Sequence, residues 1–210
     1  AVASLDPATG DQMWEHETDD ALSILSGMAE SNGTVLAFTQ ELIALDAEDG
    51  QELWSQPGRP SDTRTGPIVS GNTVIVSRNG SNGLVAYGIQ DGTDLGWATA
   101  ANDTLLGSAA SGGVLYHRRG ASTVVARSVP TGAVLWTRSL GAAATVSNVV
   151  VDGSRVYAQY GGLTDWAGSY KVAALNTETG EFVWPQVFTQ GVFASFLLRL
   201  GEIGRASCRE

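Results

Sequence analysis

Short apolar runs alternate with polar turns that contain glycine along almost the whole chain. In the stretch Ile43–Trp54, for example, an apolar run ends at Asp46, a turn closes at Gly50 and a second short run ends on Trp54. Short apolar runs bounded by Gly, Asp and Asn are typical of β-strands joined by tight turns. These segments lack the spacing of apolar positions that indicates amphipathic helices. The pattern therefore predicts an all-β protein.

The stretch that ends on Trp54 occurs five times, which indicates an internal repeat. The turn glycines of the five copies are Gly10, Gly50, Gly92, Gly132 and Gly180, at spacings of 40, 42, 40 and 48 residues. The tryptophans that close the copies are Trp14, Trp54, Trp97, Trp136 and Trp184. Each tryptophan follows its glycine by four residues, except in the third copy, where the gap is five residues and a β-bulge is expected.

Two more strands precede each complete copy, and another glycine-containing turn separates them. Examples of such strands, from two different copies, are the apolar runs Val74–Val76 and Val149–Val151. Runs that are apolar at consecutive positions suit a sheet covered on both faces. Four strands in a period of about 40 residues are typical of a β-propeller blade. The sequence therefore predicts a β-propeller built of four-stranded antiparallel blades.

We predict one propeller domain over residues 1–201. Its parts are a half-blade at 1–17, full blades at about 22–57, 64–99, 103–139 and 143–187, and the start of a next blade at 188–201. These four and a half blades are expected to form an open arc of a seven- or eight-bladed ring, with exposed sheet edges that favour aggregation. Residues 202–210 lack the strand pattern and resemble a translated sequencing adapter, so we interpret them as an artefactual tail on a fragment.

Each position of the repeat has an expected packing role. The turn glycine adopts a positive φ, and an Asp or Asn four residues before it accepts hydrogen bonds from turn amides, as at Asp6, Asp46 and Asn176. The tryptophan projects toward the next blade. A small residue six positions before the glycine is expected to leave room for a neighbouring ring; these residues are Ser4, Ala44, Ala86, Ala126 and Ala174.

The repeat resembles the tryptophan-docking motif of pyrroloquinoline-quinone-like (PQQ-like) propeller repeats, roughly A-L-D-x-x-T-G-x-x-x-W. The match is best at residues 4–14, 44–54 and 174–184. The copy at Ala126 has Arg127 and Ser128 where the motif has Leu-Asp, and the copy at Ala86 has Gly88 in place of the Asp. The resemblance implies a bacterial, extracytoplasmic propeller of the quinoprotein alcohol dehydrogenase-like superfamily, which includes both dehydrogenases and non-enzymatic scaffolds.

Composition and charge narrow the range of partners. The formal net charge of -10 disfavours a nucleic-acid partner, because phosphate binding needs clustered Lys and Arg. No stretch of the sequence approaches the length of a membrane-spanning helix. The one cysteine, Cys208, lies in the tail, so disulfides do not report the compartment.

Candidate chemistry is sparse. The resemblance implies that an enzyme of this kind holds PQQ on the ring axis with a Ca²⁺ ion, a catalytic Asp and often an adjacent Cys pair. The sequence contains no adjacent cysteines, and its acidic residues lie mostly in turns or, like Asp19 and Asp20, in inter-blade loops. We therefore predict no catalytic, cofactor-binding or metal-binding residue in this chain; PQQ and calcium enter only if it is part of a dehydrogenase.

Two histidines, an arginine pair and two polar segments are the remaining candidates. His16 and His117 lack a neighbouring nucleophile or metal-ligand spacing, so structural or surface roles are expected. Arg118 and Arg119 fit either a contact with an anionic partner or, preferably, a solvated hairpin tip. Residues 62–64 and 102–103 are interpreted as polar inter-blade loops without a chemical mark.

The last full blade carries an insertion. It has 27 residues from Gly153 to Gly180, where the first full blade has 17 from Gly33 to Gly50. The extra length falls in a segment that contains Tyr160, Trp166 and Tyr170. These aromatic residues are candidates for a binding lip, since exposed aromatic side chains favour contact surfaces. The alternative is a long hairpin that folds Trp166 back onto its own blade.

Three functional hypotheses follow. The first is a non-enzymatic extracytoplasmic binding or scaffold propeller that holds a protein or a small ligand through its loops. The second is a fragment of a PQQ-dependent alcohol or sugar dehydrogenase. The third is an extracellular sensor domain of a signalling protein.

Overall fold

The computed structural model describes residues 1–18, 27–39, 41–57, 65–77, 83–142, 144–162, 169–184 and 190–191, and its regular elements there are all β-strands. They form separate small antiparallel sheets that follow one another along the chain, each with its strands in sequence order. The prediction of an all-β fold made of small antiparallel sheets is confirmed. The tail at 202–210 lies outside the described residues.

The half-blade and blade 1 follow the predicted pattern. The half-blade pairs β1 (Val2–Leu5) with β2 (Gln12–His16). Blade 1 contains β3 (Gly27–Ser31), β4 (Thr34–Phe38), β5 (Glu41–Asp46) and β6 (Glu52–Pro57), in that order from one edge of the sheet to the other.

Blade 2 departs from the four-strand prediction. It contains β7 (Ile68–Ser70), β8 (Thr73–Ser77) and β9 (Leu84–Gly88), and the expected fourth strand is reduced to one bridge between Tyr87 and Asp94. The physical reason lies in the extra residue before Trp97. Gly96 adopts a φ of +65° and its amide donates to Asp94 Oδ1 at 2.8 Å, so the backbone leaves the extended conformation.

Blades 3 and 4 each have four strands. Blade 3 contains β10 (Asp103–Ser111), β11 (Val114–Arg119), β12 (Thr123–Ser128) and β13 (Val134–Ser139). Blade 4 contains β14 (Ala144–Asp152), β15 (Arg155–Gly162), β16 (Ser169–Asn176) and the short β17 (Gln190–Gly191).

The hydrophobic cores lie between consecutive sheets. Val2 and Trp14 of the half-blade pack with Leu45 of blade 1, and Leu36 of blade 1 packs with Val76 of blade 2. Equivalent clusters join blade 2 to blade 3 and blade 3 to blade 4. Each sheet is therefore stabilised chiefly by its neighbours in sequence, as expected for a repeat protein.

The turns between third and fourth strands have the predicted geometry. All five turn glycines have φ between +67° and +77°. In blade 1, Asp46 Oδ1 accepts a hydrogen bond from the Glu48 amide at 2.7 Å, and the Gly50 amide donates to the Asp46 carbonyl at 2.9 Å. Asp6 and Asn176 accept equivalent bonds in their own turns.

The tryptophans of the repeat pack on the turn glycines of the following blade. A Cβ atom at Gly50 would lie 2.6 Å from the ring of Trp14, and one at Gly92 would lie 2.8 Å from the ring of Trp54. A side chain in either place would displace the indole, so these positions require glycine. The indole Nε1 of Trp54 also donates to the Ile89 carbonyl at 2.7 Å.

The small residues of the repeat lie opposite the tryptophan of their own blade. Ala44 pairs with Trp54 and Ala126 pairs with Trp136 across adjacent strands. Cross-strand partners share one face of a sheet. These alanines therefore leave room for the indole of their own blade. The indole in turn packs on the turn glycine of the next blade.

The first strands of neighbouring blades also come close together. A Cβ atom at Gly27 would lie 2.5 Å from the Cα atom of Gly66, and one at Gly107 would lie 2.2 Å from the carbonyl oxygen of Ser147. Glycines thus allow backbone-to-backbone approach where β3 faces blade 2 and where β10 faces β14.

Candidate functional site

Blade 3 contains a buried cluster of charged side chains. The side chain of Asp103, at the start of β10, has no exposed surface. Its carboxylate accepts hydrogen bonds from Arg119 Nε at 2.6 Å and Arg119 Nη2 at 3.1 Å, and from Arg127 Nη2 at 2.9 Å. Burial raises the pKa of Asp103, but the hydrogen bonds from Arg119 and the nearby positive charges outweigh burial and hold the pKa below its usual value. Asp103 is therefore an ionised, fully paired carboxylate.

Arg127 occupies the position that is leucine at Leu45 and Leu175 in other copies. Its guanidinium lies 5.9 Å from the ring centroid of Trp97 and donates through Nη1 to the Ala98 carbonyl at 3.2 Å. It also donates to the carbonyl of Gly132, the turn glycine on which Trp97 packs. Arg127 thus ties blade 3 to blade 2 in place of an apolar contact.

The interface that contains Arg127 also differs in its indole. Within the described part of the chain, Trp97 Nε1 is buried and has no hydrogen-bond partner. At the corresponding place in the next interface, Trp136 Nε1 donates to the Thr177 carbonyl at 2.8 Å. In this interface the contacts of Arg127 with the Trp97 ring and with the turn occur in place of the indole hydrogen bond.

His117 completes the cluster and is fully buried. Its Nε2 accepts a long hydrogen bond from Arg127 Nε at 3.5 Å, and its Nδ1 lies 3.2 Å from the Arg118 carbonyl, which matches a neutral ring protonated on Nδ1. Burial lowers the pKa of His117 to about 4, and the negative charge of Asp103 offsets this only in part. The structural role expected for His117 agrees with this position. His16 lies on β2, with its Nε2 3.9 Å from Glu52 Oε2 of blade 1.

Two interpretations of the sequence are wrong here. Arg118 and Arg119 do not form a solvated tip, because Arg119 binds Asp103 and Arg118 Nη1 donates to the Val146 carbonyl of blade 4 at 3.0 Å. The interpretation of Asp103 as a loop residue without a specific chemical role is also wrong, because Asp103 begins β10 and is buried between two arginines. The sequence signal for this buried cluster is Arg127, a charged residue at an apolar position of the repeat.

The second notable feature is the extended sheet of blade 4. In blade 3 the hairpin of the second and third strands ends at the pair Arg119–Thr123. The corresponding pair in blade 4 is Tyr160–Lys171, and both strands continue beyond it, to Gly162 and from Ser169. Beyond that pair, β14 pairs with the end of β15 and β17 pairs with the start of β16, so the extension consists of two short strand pairs.

The candidate lip residues have different positions. Tyr160 is 8% exposed and packs in the core cluster of blades 3 and 4 with Val146, and burial raises the pKa of its hydroxyl. Trp166 lies outside the described residues. Tyr170 lies in β16, where its backbone pairs with Gln190 of β17. Tyr160 therefore anchors the base of the extension.

The other carboxylates with defined partners belong mainly to turns. Asp6 and Asp46 accept hydrogen bonds from the amides of their own turns, and Asp91 Oδ1 accepts one from the Thr93 amide at 3.0 Å. No group of three or more His, Cys, Asp or Glu side chains with the geometry of a metal site occurs among the described residues. In the same part of the chain, no helix has the length and apolar character needed to cross a membrane.

The model of the family described as outer membrane protein assembly factor BamB, PQQ_2, matches residues 1–158 and, in a second overlapping placement, residues 96–201. The chain belongs to that family. The predicted membership in the PQQ-like repeat proteins is thereby confirmed, and the overlapping placements reflect the internal repeat.

The proteins that resemble this chain have different printed functions. The dehydrogenase subunit of the quinone alcohol dehydrogenase of Gluconacetobacter polyoxogenes is 28% identical to 87% of this chain, which spans 29% of that subunit. BamB from Moraxella catarrhalis has a TM-score of 0.58 at 22% identity, over 83% of this chain and 64% of that protein. A europium-containing methanol dehydrogenase has a TM-score of 0.61 at 17% identity, over 89% of this chain and 47% of that enzyme. The two structures show a common fold.

Proposed function

We propose that this chain is part of an extracytoplasmic PQQ-like propeller that acts as a binding or scaffold module, with a protein or small ligand held at the extended end of blade 4. The observation that carries the proposal is the continuation of β15 and β16 beyond the pair Tyr160–Lys171, where β14 pairs with β15 and β17 pairs with β16. The compartment is inferred from membership in the PQQ_2 family.

The extension has the properties of a presented binding element. Each of its two strands is paired with an outer strand, β15 with β14 and β16 with β17, and its base is anchored by buried Tyr160 and Val146. A supported extension positions contact residues more exactly than a free loop does. In the sequence, Trp166 lies between the two strands, and large aromatic residues are enriched among the side chains that dominate binding energy.

A second candidate function is favoured by the 28% identity to the quinone alcohol dehydrogenase subunit. The described residues do not fit a quinone-bound Ca²⁺, which needs six to eight converging oxygen ligands. Both carboxylate oxygens of Asp103 are taken up by Arg119 and Arg127, and Asp6 and Asp46 accept amides of their own turns. In a dehydrogenase, the ligands would therefore come from outside the described residues.

Site-specific photo-crosslinking in the native host tests the proposed binding end. A photoreactive amino acid at position 166 should give one dominant cross-linked product, because the proposal places a partner at this end of blade 4. The matched control carries the same group at Leu135, which is 52% exposed on β13, and should not give that product. Identical products from both positions would overturn the assignment of the binding end.

A variant and an activity assay complete the test. Trp166→Ala should weaken binding of the cross-linked partner without changing the melting temperature. A large drop in melting temperature would instead favour the hairpin that folds Trp166 onto its own blade. Dye-linked alcohol oxidation by the full-length protein in the presence of PQQ and Ca²⁺ would contradict the non-enzymatic assignment and support the dehydrogenase.

A further inference from the structure

Trp97 packs on blade 3 in a different orientation from the three other tryptophans whose packing on a turn glycine the structure describes. A Cβ atom added at Gly132 would lie 2.7 Å from Cγ and Cδ1 of Trp97, which belong to the five-membered ring. At Gly50, Gly92 and Gly180 the nearest atoms of the covering indole are Cδ2 and Cε3, of the six-membered ring. The Trp97 indole is therefore turned over about its Cβ–Cγ bond relative to the other three.

This orientation separates the indole from its usual hydrogen-bond acceptor. Trp14, Trp54 and Trp136 each donate through Nε1 to the carbonyl three residues before the turn glycine on which they pack, at 2.7 to 3.0 Å. The corresponding carbonyl for Trp97 belongs to Val129, but Trp97 Nε1 is buried without a partner among the described residues. The standard orientation would direct Nε1 at that carbonyl. The torsion next to an aromatic ring is roughly two-fold, so both orientations are accessible.

Arg127 replaces the residue that packs near the indole in the other interfaces. The residue five positions before the turn glycine is apolar or aromatic there and shares a hydrophobic cluster with the docked tryptophan; these residues are Leu45, Tyr87 and Leu175. The guanidinium of Arg127 instead lies 5.9 Å from the ring centroid of Trp97 and donates to the carbonyls of Gly132 and Ala98. These contacts hold the indole in its turned orientation.

His117 determines whether Arg127 can keep this position. It is fully buried, and its neutral Nε2 accepts the hydrogen bond from Arg127 Nε at 3.5 Å. A proton on Nε2 converts this acceptor into a donor, so two N–H groups and two positive charges then face each other. The change falls in the acidic range, because burial lowers the pKa of His117 to about 4.

The surroundings of His117 offer an added positive charge little compensation. Arg127 faces it from β12 and Arg119 from β11, and the facing carboxylate among the described residues, Asp103 of β10, is already shared by both arginines. Arg118 extends to blade 4 instead. On the blade 2 side, β8, β9 and the connection at 97–102 contain no group that is charged at or below neutral pH. Protonation therefore places three cations around one carboxylate.

The same cluster fixes the connection between blades 2 and 3. The Ala98 carbonyl accepts a hydrogen bond from Arg127 Nη1 at 3.2 Å, and the Ala100 amide donates to Asp103 Oδ2 at 3.1 Å. If Arg127 leaves its position, the first of these bonds is lost and the connection is held by the second alone. Connections at the surface often carry the function of a domain. A proton at a buried site would thus change a surface segment.

We propose that Trp97, Arg127 and His117 form a pH switch between blades 2 and 3. Neutral His117 holds Arg127 against the turn, and Arg127 holds the Trp97 indole turned over. A solvent proton taken up by His117 displaces Arg127, the indole turns, and its Nε1 donates to the Val129 carbonyl. The switch is an equilibrium between two states of one interface, which pH shifts.

Nuclear magnetic resonance of the 210-residue chain, labelled with ¹⁵N in tryptophan, tests the switch. The chain has six tryptophans, so six indole N–H signals are expected, and Trp97→Phe identifies the signal of Trp97. As the pH falls from neutral through 4, this signal should move downfield because the indole acquires a hydrogen bond. The signal of Trp136, identified with Trp136→Phe, should keep its position because that indole is already bonded.

Three variants locate the cause of the movement. His117→Gln keeps an oxygen acceptor for Arg127 and cannot titrate, so the Trp97 signal should stay at its neutral-pH position throughout. His16→Gln is the matched control, because His16 lies on β2, away from this interface, and it should leave the movement unchanged. Arg127→Leu restores the residue of two other copies and should place the Trp97 signal at its bonded position already at neutral pH.

Three results would overturn the proposal. One is a Trp97 signal that stays fixed in the unmodified chain, and another is a movement that persists in His117→Gln. The third is a simultaneous change of all six signals to their unfolded positions, since the chain would then unfold as a whole instead of switching at one interface. Circular dichroism shows whether Arg127→Leu is folded; if it is not, the unmodified chain and His117→Gln still decide.

Discussion

Trp54 makes two kinds of contact with blade 2, since its ring lies on Gly92 and its Nε1 donates to the Ile89 carbonyl. Removing the ring leaves a cavity and an unpaired carbonyl. We therefore expect Trp54→Ala to lower the free energy of unfolding by about 3–5 kcal/mol. Leu53→Ala, at the neighbouring position, should cost well under about 1 kcal/mol because Leu53 is 47% exposed. Urea denaturation measures both, and a neutral Trp54→Ala would contradict the docking role.

His117 makes the stability of blade 3 depend on pH. Its pKa in the folded chain is about 4, below the value of 6.5 expected when it is unfolded, so the unfolded chain binds the proton first as the pH falls. The contribution of neutral His117 to the free energy of unfolding is fully present above pH 6.5 and is lost as the pH falls toward 4. The loss is about 2–3 kcal/mol, because one pKa unit corresponds to roughly 1.4 kcal/mol. Protonation would add a charge beside Arg127 and Arg119, and Asp103 is the carboxylate that faces it among the described residues.

The measurement is the free energy of unfolding as a function of pH for the unmodified chain and for His117→Gln. The variant cannot titrate at this position, so the difference between the two curves isolates the contribution of His117. Parallel curves between pH 4 and 6.5 would show that His117 is not responsible.

At the residue scale, local spacing predicted the turn contacts but not the charged cluster. Asp46 and Gly50 lie four residues apart, and their roles follow from that spacing. Asp103 and Arg127 lie 24 residues apart and meet because β10 and β12 flank β11 in one sheet. A partner at such a separation is set by sheet topology, which residue spacing alone does not specify.

Among the elements, the turns between third and fourth strands require glycine for two reasons, a positive φ and the close contact of an indole. Substitutions can separate the two. Gly50 has a φ of +74° and lies under Trp14, whereas Gly33, between β3 and β4, has a φ of +77° and open space at its Cβ position. Gly50→Ala should therefore destabilise the chain by about 1–3 kcal/mol more than Gly33→Ala, through the displaced indole. Thermal unfolding of the two variants measures this difference, and equal losses would mean that backbone strain alone matters.

At the element scale, the repeat predicted where strands occur, and exceptions arose where the sequence leaves the repeat. The gap of five residues before Trp97 predicted a bulge, but the chain loses its fourth strand there because Gly96 adopts a positive φ. The insertion after Tyr160 predicted a longer hairpin. The pairing of the two extended strand ends with β14 and β17 is a contact between distant segments, which length alone does not reveal.

For the molecule as a whole, stability should vary along the array because each sheet depends on its neighbours. The hairpin β1–β2 packs on blade 1 through Val2 and Trp14, whereas Leu115 and Ala126 of blade 3 belong to clusters on opposite faces. A two-stranded hairpin is marginally stable by itself. In dilute solution, amides of β1 and β2 should therefore exchange with deuterium at least tenfold faster than those of β11 and β12. Equal protection would show that the array unfolds as one unit.

The repeat identifies the family from sequence alone, because five copies in phase are specific for it. Function is less predictable at this scale, since residues such as Trp54 and Gly92 hold one blade on the next in enzymes and scaffolds alike. What distinguishes this chain lies where it departs from the repeat, at Arg127 and at the extension of blade 4.

The close approach of Gly27 and Gly66 has a consequence for curvature. Two neighbouring blades form a wedge, and the distance between their first strands relative to the distance between their last strands fixes the wedge angle. A glycine pair permits the narrowest apex, since a single methyl group at Gly27 would lie 2.5 Å from the Gly66 Cα atom. A wider apex makes each wedge more nearly parallel-sided, so more wedges are needed to complete a circle. The absence of a side chain at Gly27 and Gly66 therefore helps to set how many blades a closed propeller of these repeats would contain.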